Sequence, residues 1–88
     1  MELKQTYEQC VAEMTDEQVR LLKENESEKG GPGAWLDGDP TEWASEARRH
    51  LDLLEQAFID GTPEEVRRRG GNACNFIMMA VGTELESR

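Results

Sequence analysis

Two helix-opening motifs constrain the fold of this chain more than any other feature of its sequence. Asp39-Pro40-Thr41-Glu42 and Thr62-Pro63-Glu64-Glu65 each combine a capping side chain with a proline at the first helical position and a glutamate in the first turn. Gly61 lies between them and is suited to ending the earlier helix. The motifs therefore predict an antiparallel helix hairpin over residues 40–86.

Apolar residues recur at helical spacing through both halves of this hairpin, and no alternating strand pattern competes with them. Residues with this spacing are expected to form the inner faces of the two helices. In the first helix they are Trp43, Ala47, Leu51, Leu54 and Phe58, and in the second they are Val66, Ala73, Phe76, Ile77 and Ala80. The hairpin is therefore expected to bury these side chains between its helices.

The residues before the hairpin predict two further short helices and a loop. Residues 3–14 carry apolar side chains at helical spacing, and Thr15 with Gln18 has the form of a capping box that starts a second helix ending near residue 28. Residues 29–39 contain four glycines and a proline, which is typical of a loop. The 88 residues are therefore predicted to form one all-α domain of four helices, and the exposed apolar face of its hairpin predicts a homodimer.

The charge of the chain argues against direct binding to nucleic acid or to a membrane surface. Ten basic residues against nineteen acidic ones give a formal net charge of −9 at pH 7, which repels phosphate backbones and anionic lipids. The excess lies in residues 1–63, because residues 64–88 carry four acidic and four basic side chains. Cys10 and Cys74 are far apart with no signal peptide before them, so they are expected to be reduced thiols of a cytoplasmic protein.

One stretch near the C-terminus is specific enough to suggest a family. Residues 72–79 read Asn-Ala-Cys-Asn-Phe-Ile-Met-Met, and they follow Asn25, Lys29-Gly30-Gly31, Ala57-Phe58 and Gly61-Thr62-Pro63-Glu64-Glu65-Val66. This order of features resembles the small MazG-like, all-α nucleoside triphosphate pyrophosphohydrolases, including short phage-encoded versions. The resemblance implies a MazG-like four-helix bundle, and it extends from residue 25 to residue 79.

Enzymes of that family hold Mg²⁺ with acidic residues on two facing helices, because magnesium prefers oxygen ligands and bridges substrate phosphates. The resemblance places Arg49, His50 and Leu53 at the first group of these positions, and Arg69 and Asn72 at the second. None of the five is a carboxylate, and the two arginines would repel a metal ion. The resemblance therefore implies a pseudoenzyme without a metal or cofactor. His50 neighbours Leu51 on a packed helix, and no Ser or Cys nucleophile lies at a recognisable spacing from it, so it is predicted to lie on the helix flank.

Two surfaces are candidate binding sites. The first is an acidic surface beside two tryptophans, and its predicted partner-binding residues are Trp35, Asp37, Asp39, Glu42 and Glu46. Its carboxylates are suited to mimicking phosphates in the groove of a basic protein. The second is a set of arginines between the last two helices, Arg49, Arg67 and Arg69, which would either bind an anion or pair with neighbouring glutamates. Gly70 and Gly71 are expected to allow the last two helices to approach each other closely.

These features predict a non-enzymatic, acidic binding protein that inhibits or occupies a protein partner, itself basic or nucleic-acid-binding. Because short members of the resembled family are phage-encoded, one specific form of this hypothesis is an anti-defence inhibitor of the anti-CRISPR kind, acting in the host cytoplasm. Two alternatives come from other classes of function. One is a nucleotide-binding module or sponge that uses the arginines. The other is a Mg²⁺-dependent pyrophosphohydrolase with relocated ligands, for which the candidate acids are the pairs Asp52 with Glu55 and Glu42 with Glu46.

Overall fold

Three α-helices account for most of the residues described by the computed structural model, which are 5–26 and 34–88. The helices are α1 (Tyr7–Asn25), α2 (Pro40–Asp60) and α3 (Pro63–Glu86), and a 3-10 turn, Ala34–Asp37, precedes α2. These two stretches contain no β-strand, which confirms the all-α fold class. Within them, no helix has the length and apolar character needed to cross a membrane.

The predicted hairpin of α2 and α3 is confirmed, together with its caps. The Asp39 carboxylate accepts a hydrogen bond of 2.8 Å from the Thr41 amide, and the Thr62 hydroxyl accepts one of 3.1 Å from the Glu65 amide. At the end of α2 the Gly61 amide donates to the Ala57 carbonyl at 2.9 Å. A Cβ at Gly61 would lie 2.9 Å from that alanine, so the turn has no space for a larger residue.

The prediction of two separate N-terminal helices is wrong, because α1 runs through Thr15 without interruption. The capping box is formed earlier in the chain. The Thr6 hydroxyl accepts from the Gln9 amide at 3.2 Å, and the Gln9 side chain accepts from the Thr6 amide at 2.7 Å. The described chain therefore has three α-helices instead of four, and the predicted elements at residues 3–4 and 27–33 lie outside it.

The helices are arranged around α3, and they do not form a closed bundle. Both α1 and α2 pack on α3, but no Cα atom of α1 lies within 8 Å of one of α2. The Cα radius of gyration is 14.3 Å, compared with about 12 Å for a compact domain of this length. The described part of the chain is accordingly elongated, with extents of 49 × 27 × 25 Å.

The interface between α2 and α3 differs from the predicted one in which residues it buries. Ala47 is buried and Trp43 and Leu54 are half-buried, as expected, but Leu51 and Phe58 are exposed. His50 and Ala57 take their places, so the prediction that His50 lies on the helix flank is wrong. Small alanines at 47, 57 and 73 allow the two helices to approach closely, and Phe76 fills the remaining space by stacking on Trp43 and His50 at centroid distances of 5.8 and 5.1 Å. On α3, Ile77 is also exposed instead of buried.

The interface between α1 and α3 is smaller and depends on a glycine. Leu21 is 1% exposed, and a Cβ at Gly71 would lie 2.8 Å from Leu21 Cδ1 and 3.0 Å from Glu17 Cγ. Beside this contact the Gln18 amide donates to the Asn75 side-chain oxygen at 3.2 Å, while the Asn75 amide donates to the Gln18 backbone carbonyl at 3.1 Å. The expectation that the glycine pair brings α2 and α3 together is therefore wrong, because Gly71 faces α1.

Candidate functional site

The first candidate site is an acidic groove at the start of α2. Asp39, Glu42 and Glu46 follow one another at steps of three and four, which places them on one side of the helix. The groove has a volume of about 510 Å³ and is lined by Asp39, Thr41, Glu42, Trp43, Ser45, Glu46 and Phe76. Three of the predicted partner-binding carboxylates therefore share one concave surface with two aromatic rings.

The aromatic floor of this acidic groove is fixed from several directions. Trp43 stacks on Phe76, and its indole N–H donates to the Trp35 carbonyl at 3.2 Å. A Cβ at Gly38 would lie 2.8 Å from the Trp43 ring, so the backbone covers the ring closely there. The Trp35 ring itself packs within 2.9 Å of the Cβ position of Gly82 on α3. Trp35 thus supports the floor through its backbone and does not line the groove.

One predicted residue of the acidic surface lies outside the groove, and an arginine offsets part of the charge within it. Asp37 is exposed in the 3-10 turn and does not line the acidic groove. Arg49 forms an ion pair of 2.8 Å with Glu46, and its guanidinium also donates to His50 Nε2 at 3.2 Å. The side chains of Arg49 and Glu46 are 58% and 39% exposed, so their ion pair contributes little to stability. The single arginine leaves the groove, with its three carboxylates, with an excess of negative charge.

The second candidate site is a mixed-charge cleft between α1 and the first turns of α3. It has a volume of about 550 Å³ and is lined by Glu17, Arg20, Thr62, Glu64, Glu65, Arg67 and Arg68. Of the predicted anion-binding residues only Arg67 lines it, whereas Arg49 lies on α2 and Arg69 is outside the lining. The cleft holds three carboxylates and three guanidinium groups, so its charges balance.

Ion pairs favour the ionised form of Glu17 in the mixed-charge cleft and of Glu24 at its edge. The hydrogen bond from Arg20, at 2.6 Å, lowers the pKa of Glu17, and the charges of Arg20, Arg67 and Arg68 act in the same direction while burial opposes them. Glu24 lies at the edge of this network, and the hydrogen bond from Arg68 across the α1–α3 interface lowers its pKa. Arg68 of α3 therefore pairs with α1.

The lowered pKa of Glu17 predicts a specific dependence of stability on pH. Because the folded pKa lies below the ordinary value of 4.5, ionised Glu17 stabilises the fold above about pH 4.5, and this contribution is lost as the pH falls through the folded pKa. Glu17→Gln should therefore lower the free energy of unfolding near pH 7, and the difference from the wild type should shrink below pH 4.5. Chemical denaturation across this range measures it, with Glu55→Gln on the exposed side of α2 as the control. A difference that does not change with pH would contradict the assignment.

The structure also places the five positions that the MazG-like resemblance assigns to metal ligands. His50 is buried and stacks on Phe76. The positions of Leu53, Arg69 and Asn72 are half-buried, and Arg49 is exposed. Among residues 5–26 and 34–88, no three His, Cys, Asp or Glu side chains are grouped so that they could hold a metal ion.

Buried polar residues are the features that the sequence pattern missed. Asn75 and Glu17 are both buried at the α1–α3 interface, although the spacing of apolar residues indicated neither. For Asn75 the only signal in the sequence is its position, between two predicted inner-face residues of α3, Ala73 and Phe76.

Comparison of the chain with protein-family models, with curated proteins and with solved structures finds no match.

Proposed function

We propose that this protein is a non-enzymatic binding protein whose acidic groove receives a basic segment of a protein partner. The observation that carries the proposal is the combination of Asp39, Glu42 and Glu46 with the aromatic floor of Trp43 and Phe76 in one open groove. Opposite charge on a partner steers its approach and fixes its orientation. A preformed floor reduces the entropy lost on binding, because few groups must be ordered.

Basic side chains fit the two kinds of surface in this groove. Lysine and arginine have apolar stems and charged ends, so a stem can pack along the edges of Trp43 and Phe76 while the charged end reaches a carboxylate. Acidic residues elsewhere on the chain, such as Asp52 and Glu55, are exposed on the surface of α2 and line neither of the two sites. The groove is therefore a more specific receptor for a basic segment than the net charge of −9 alone.

The resemblance to MazG-like pyrophosphohydrolases supports a form of this function without catalysis. Arginine, histidine, leucine and asparagine occupy the positions where that family has its metal-binding acids, so the resemblance implies that this chain lacks the family's metal site. Carboxylates on a helix surface can imitate the phosphates that a nucleic-acid-handling protein binds. An anti-defence inhibitor of the anti-CRISPR kind, whose acidic groove receives a basic segment of a host nucleic-acid-handling protein, is the specific version of the proposal.

Removing the groove charges should weaken binding of a short oligoarginine peptide. The triple variant Asp39→Asn, Glu42→Gln, Glu46→Gln keeps the helix cap, because asparagine caps as well as aspartate. It should bind the peptide roughly tenfold or more weakly than the wild type. The matched control, Asp52→Asn with Glu55→Gln and Asp60→Asn, removes the same charge from the exposed side of α2. Fluorescence anisotropy at fixed salt measures both affinities. Equal losses in the two triple variants would show that only net charge attracts the peptide.

The mixed-charge cleft supports the nucleotide-binding alternative, because Arg20, Arg67 and Arg68 meet there beside the N-terminus of α3. Its three carboxylates oppose an anion, so we rank this function second. Isothermal titration with ATP, with and without Mg²⁺, separates the candidates. Metal-independent binding that Arg67→Ala abolishes would favour the nucleotide module, whereas pyrophosphate release above a blank without protein would favour the hydrolase with relocated ligands.

A further inference from the structure

The first turns of α1 project beyond the rest of the described chain. Every residue from 5 to 13 is exposed, and Tyr7 and Val11 are 90% and 63% exposed. Tyr7, Val11 and Met14 are separated by four and three residues, so they continue the helix face on which Leu21 packs against α3. The packed face of α1 therefore extends past the edge of α3 with no described side chain covering it.

A second uncovered apolar surface runs along α3. It consists of Cys74, Ile77, Met78, Val81 and Leu85, and is called the α3 seam below. The spacing of these residues places them on one side of the helix over about 17 Å. The four larger side chains are exposed, although they belong to the helix that both α1 and α2 pack against. The α3 seam is thus the third side of the central helix.

The charge distribution indicates what covers the α3 seam. Residues 63–86 form α3, and the segment 64–88 carries four acidic and four basic residues, whereas the whole chain has a net charge of −9. Within the α3 seam, residues 74–85 carry a single charged side chain, Glu84, so a second copy of the chain meets little like charge on an approach to it. Electrostatic repulsion between two copies is therefore smallest at the α3 seam.

The size of the uncovered surface also fits a second copy. Tyr7, Val11 and the four exposed residues of the α3 seam together leave roughly 600 Å² of mostly apolar surface in water, close to the ~800 Å² that each partner buries in a standard interface. An isologous dimer uses the same surface twice, so the first turns of α1 of each copy can cover the α3 seam of the other.

We infer that the protein is a homodimer in which a second copy of this chain covers the α3 seam and the exposed face of the first turns of α1. This interface shares no residue with the acidic groove, so it is independent of the proposed partner binding. The sequence predicts a dimer through an exposed face of the hairpin. The surface inferred here lies on α3 and α1, and α2 residues such as Phe58 and Ile59 lie outside it.

Sedimentation equilibrium of the purified full chain tests this inference. The wild type should sediment at twice the chain mass of 10.0 kDa at concentrations of about 100 µM, and Val81→Asp should weaken the dimer by roughly tenfold or more. Val81 is 54% exposed in the single chain, so circular dichroism should show an unchanged helix content for the variant. Val11→Asp, on a different helix, should weaken the dimer in the same direction.

The matched control is Ile59→Asp, which makes the same kind of change at an apolar residue that is 82% exposed near the end of α2. It should leave the mass unchanged. A wild type that sediments as a single chain at 100 µM would overturn the inference. A dimer that survives both Val81→Asp and Val11→Asp, or that Ile59→Asp disrupts equally, would overturn the assignment of the surface.

Discussion

Replacing Leu21 with alanine is expected to lower the free energy of unfolding by about 2–5 kcal/mol, because the substitution leaves a cavity where α1 meets α3. Leu21 is 1% exposed and is the one large side chain of the described residues that is fully buried. No close contact with α2 helps to hold α1 in place. In a domain of this size the expected loss is a large fraction of the total stability. Urea denaturation followed by circular dichroism measures it.

A size-swap experiment tests the same contact more sharply. Gly71→Val introduces atoms where Leu21 and Glu17 already lie, so it should cost about 1–3 kcal/mol through overpacking. In the double variant with Leu21→Ala, the valine occupies the space that the leucine leaves. The losses in unfolding free energy of the two single variants should therefore add up to more than the loss of the double variant, by about 1 kcal/mol or more.

Gly70 provides the control for this pair. A Cβ at Gly70 would lie 3.7 Å from the end of the Met14 side chain, which is an ordinary contact. Gly70→Ala should therefore stabilise the protein by up to ~1 kcal/mol through the higher helix propensity of alanine. Strict additivity of Leu21→Ala and Gly71→Val, or destabilisation by Gly70→Ala as large as that by Gly71→Val, would contradict the packing described for α1.

Asn75→Asp is expected to have the second large effect, about 2–4 kcal/mol at pH 7. Asn75 is 4% exposed, and it both accepts from the Gln18 side chain and donates to the Gln18 backbone carbonyl. A carboxylate keeps the acceptor but loses the donor, and it places an unpaired charge opposite a carbonyl oxygen. Asn75→Ala, which loses both hydrogen bonds without adding a charge, should cost less, about 1–3 kcal/mol.

The pH dependence distinguishes the charge from the lost hydrogen bond. Burial raises the pKa of the introduced carboxyl group above its unfolded value, so the extra penalty is present at high pH and is relieved as the pH falls through the folded pKa. The stability of Asn75→Asp relative to Asn75→Ala should therefore recover between neutral pH and pH 4. An Asn75→Asp variant as stable as the wild type at pH 7 would show that this residue is not buried at the α1–α3 interface.

The hairpin could be predicted from the sequence because its signals are local. Asp39 and Thr62 cap the helices that follow them, each with a proline at the next position, and Gly61 ends α2 where space for a side chain is absent. The start of α1 could not be predicted in this way. Thr6 with Gln9 and Thr15 with Gln18 both have the form of a capping box, and packing of the uninterrupted helix on α3 decides between them.

The face that each helix turns toward its neighbour was less predictable. Hydrophobicity favours Leu51 and Phe58 as inner residues of α2, but close packing against α3 favours Ala57 and the flat ring of His50. The ion pair between Arg68 and α1 could not be predicted either, because the sequence does not indicate that α1 covers the face of α3 that carries Arg68.

Part of the acidic groove follows directly from spacing. Asp39, Glu42 and Glu46 lie on one side of any helix that starts at Pro40, so their proximity could be predicted. The aromatic floor could not, because Phe76 comes from α3 and reaches Trp43 only through the pairing of the two helices. The support that Trp35 gives to Trp43 through its backbone carbonyl likewise depends on the turn before α2.

The most direct test of the proposed function is to map where a basic segment binds. In a titration of ¹⁵N-labelled protein with an oligoarginine peptide, we expect the largest chemical-shift changes at the amides of residues 39–46 and at the indole N–H of Trp43, which lines the acidic groove. The changes should saturate, and they should disappear in the Asp39→Asn, Glu42→Gln, Glu46→Gln variant. Changes centred on Arg20, Arg67 and Arg68, or spread evenly over the acidic residues of α1 and α2, would contradict the acidic groove as the binding site.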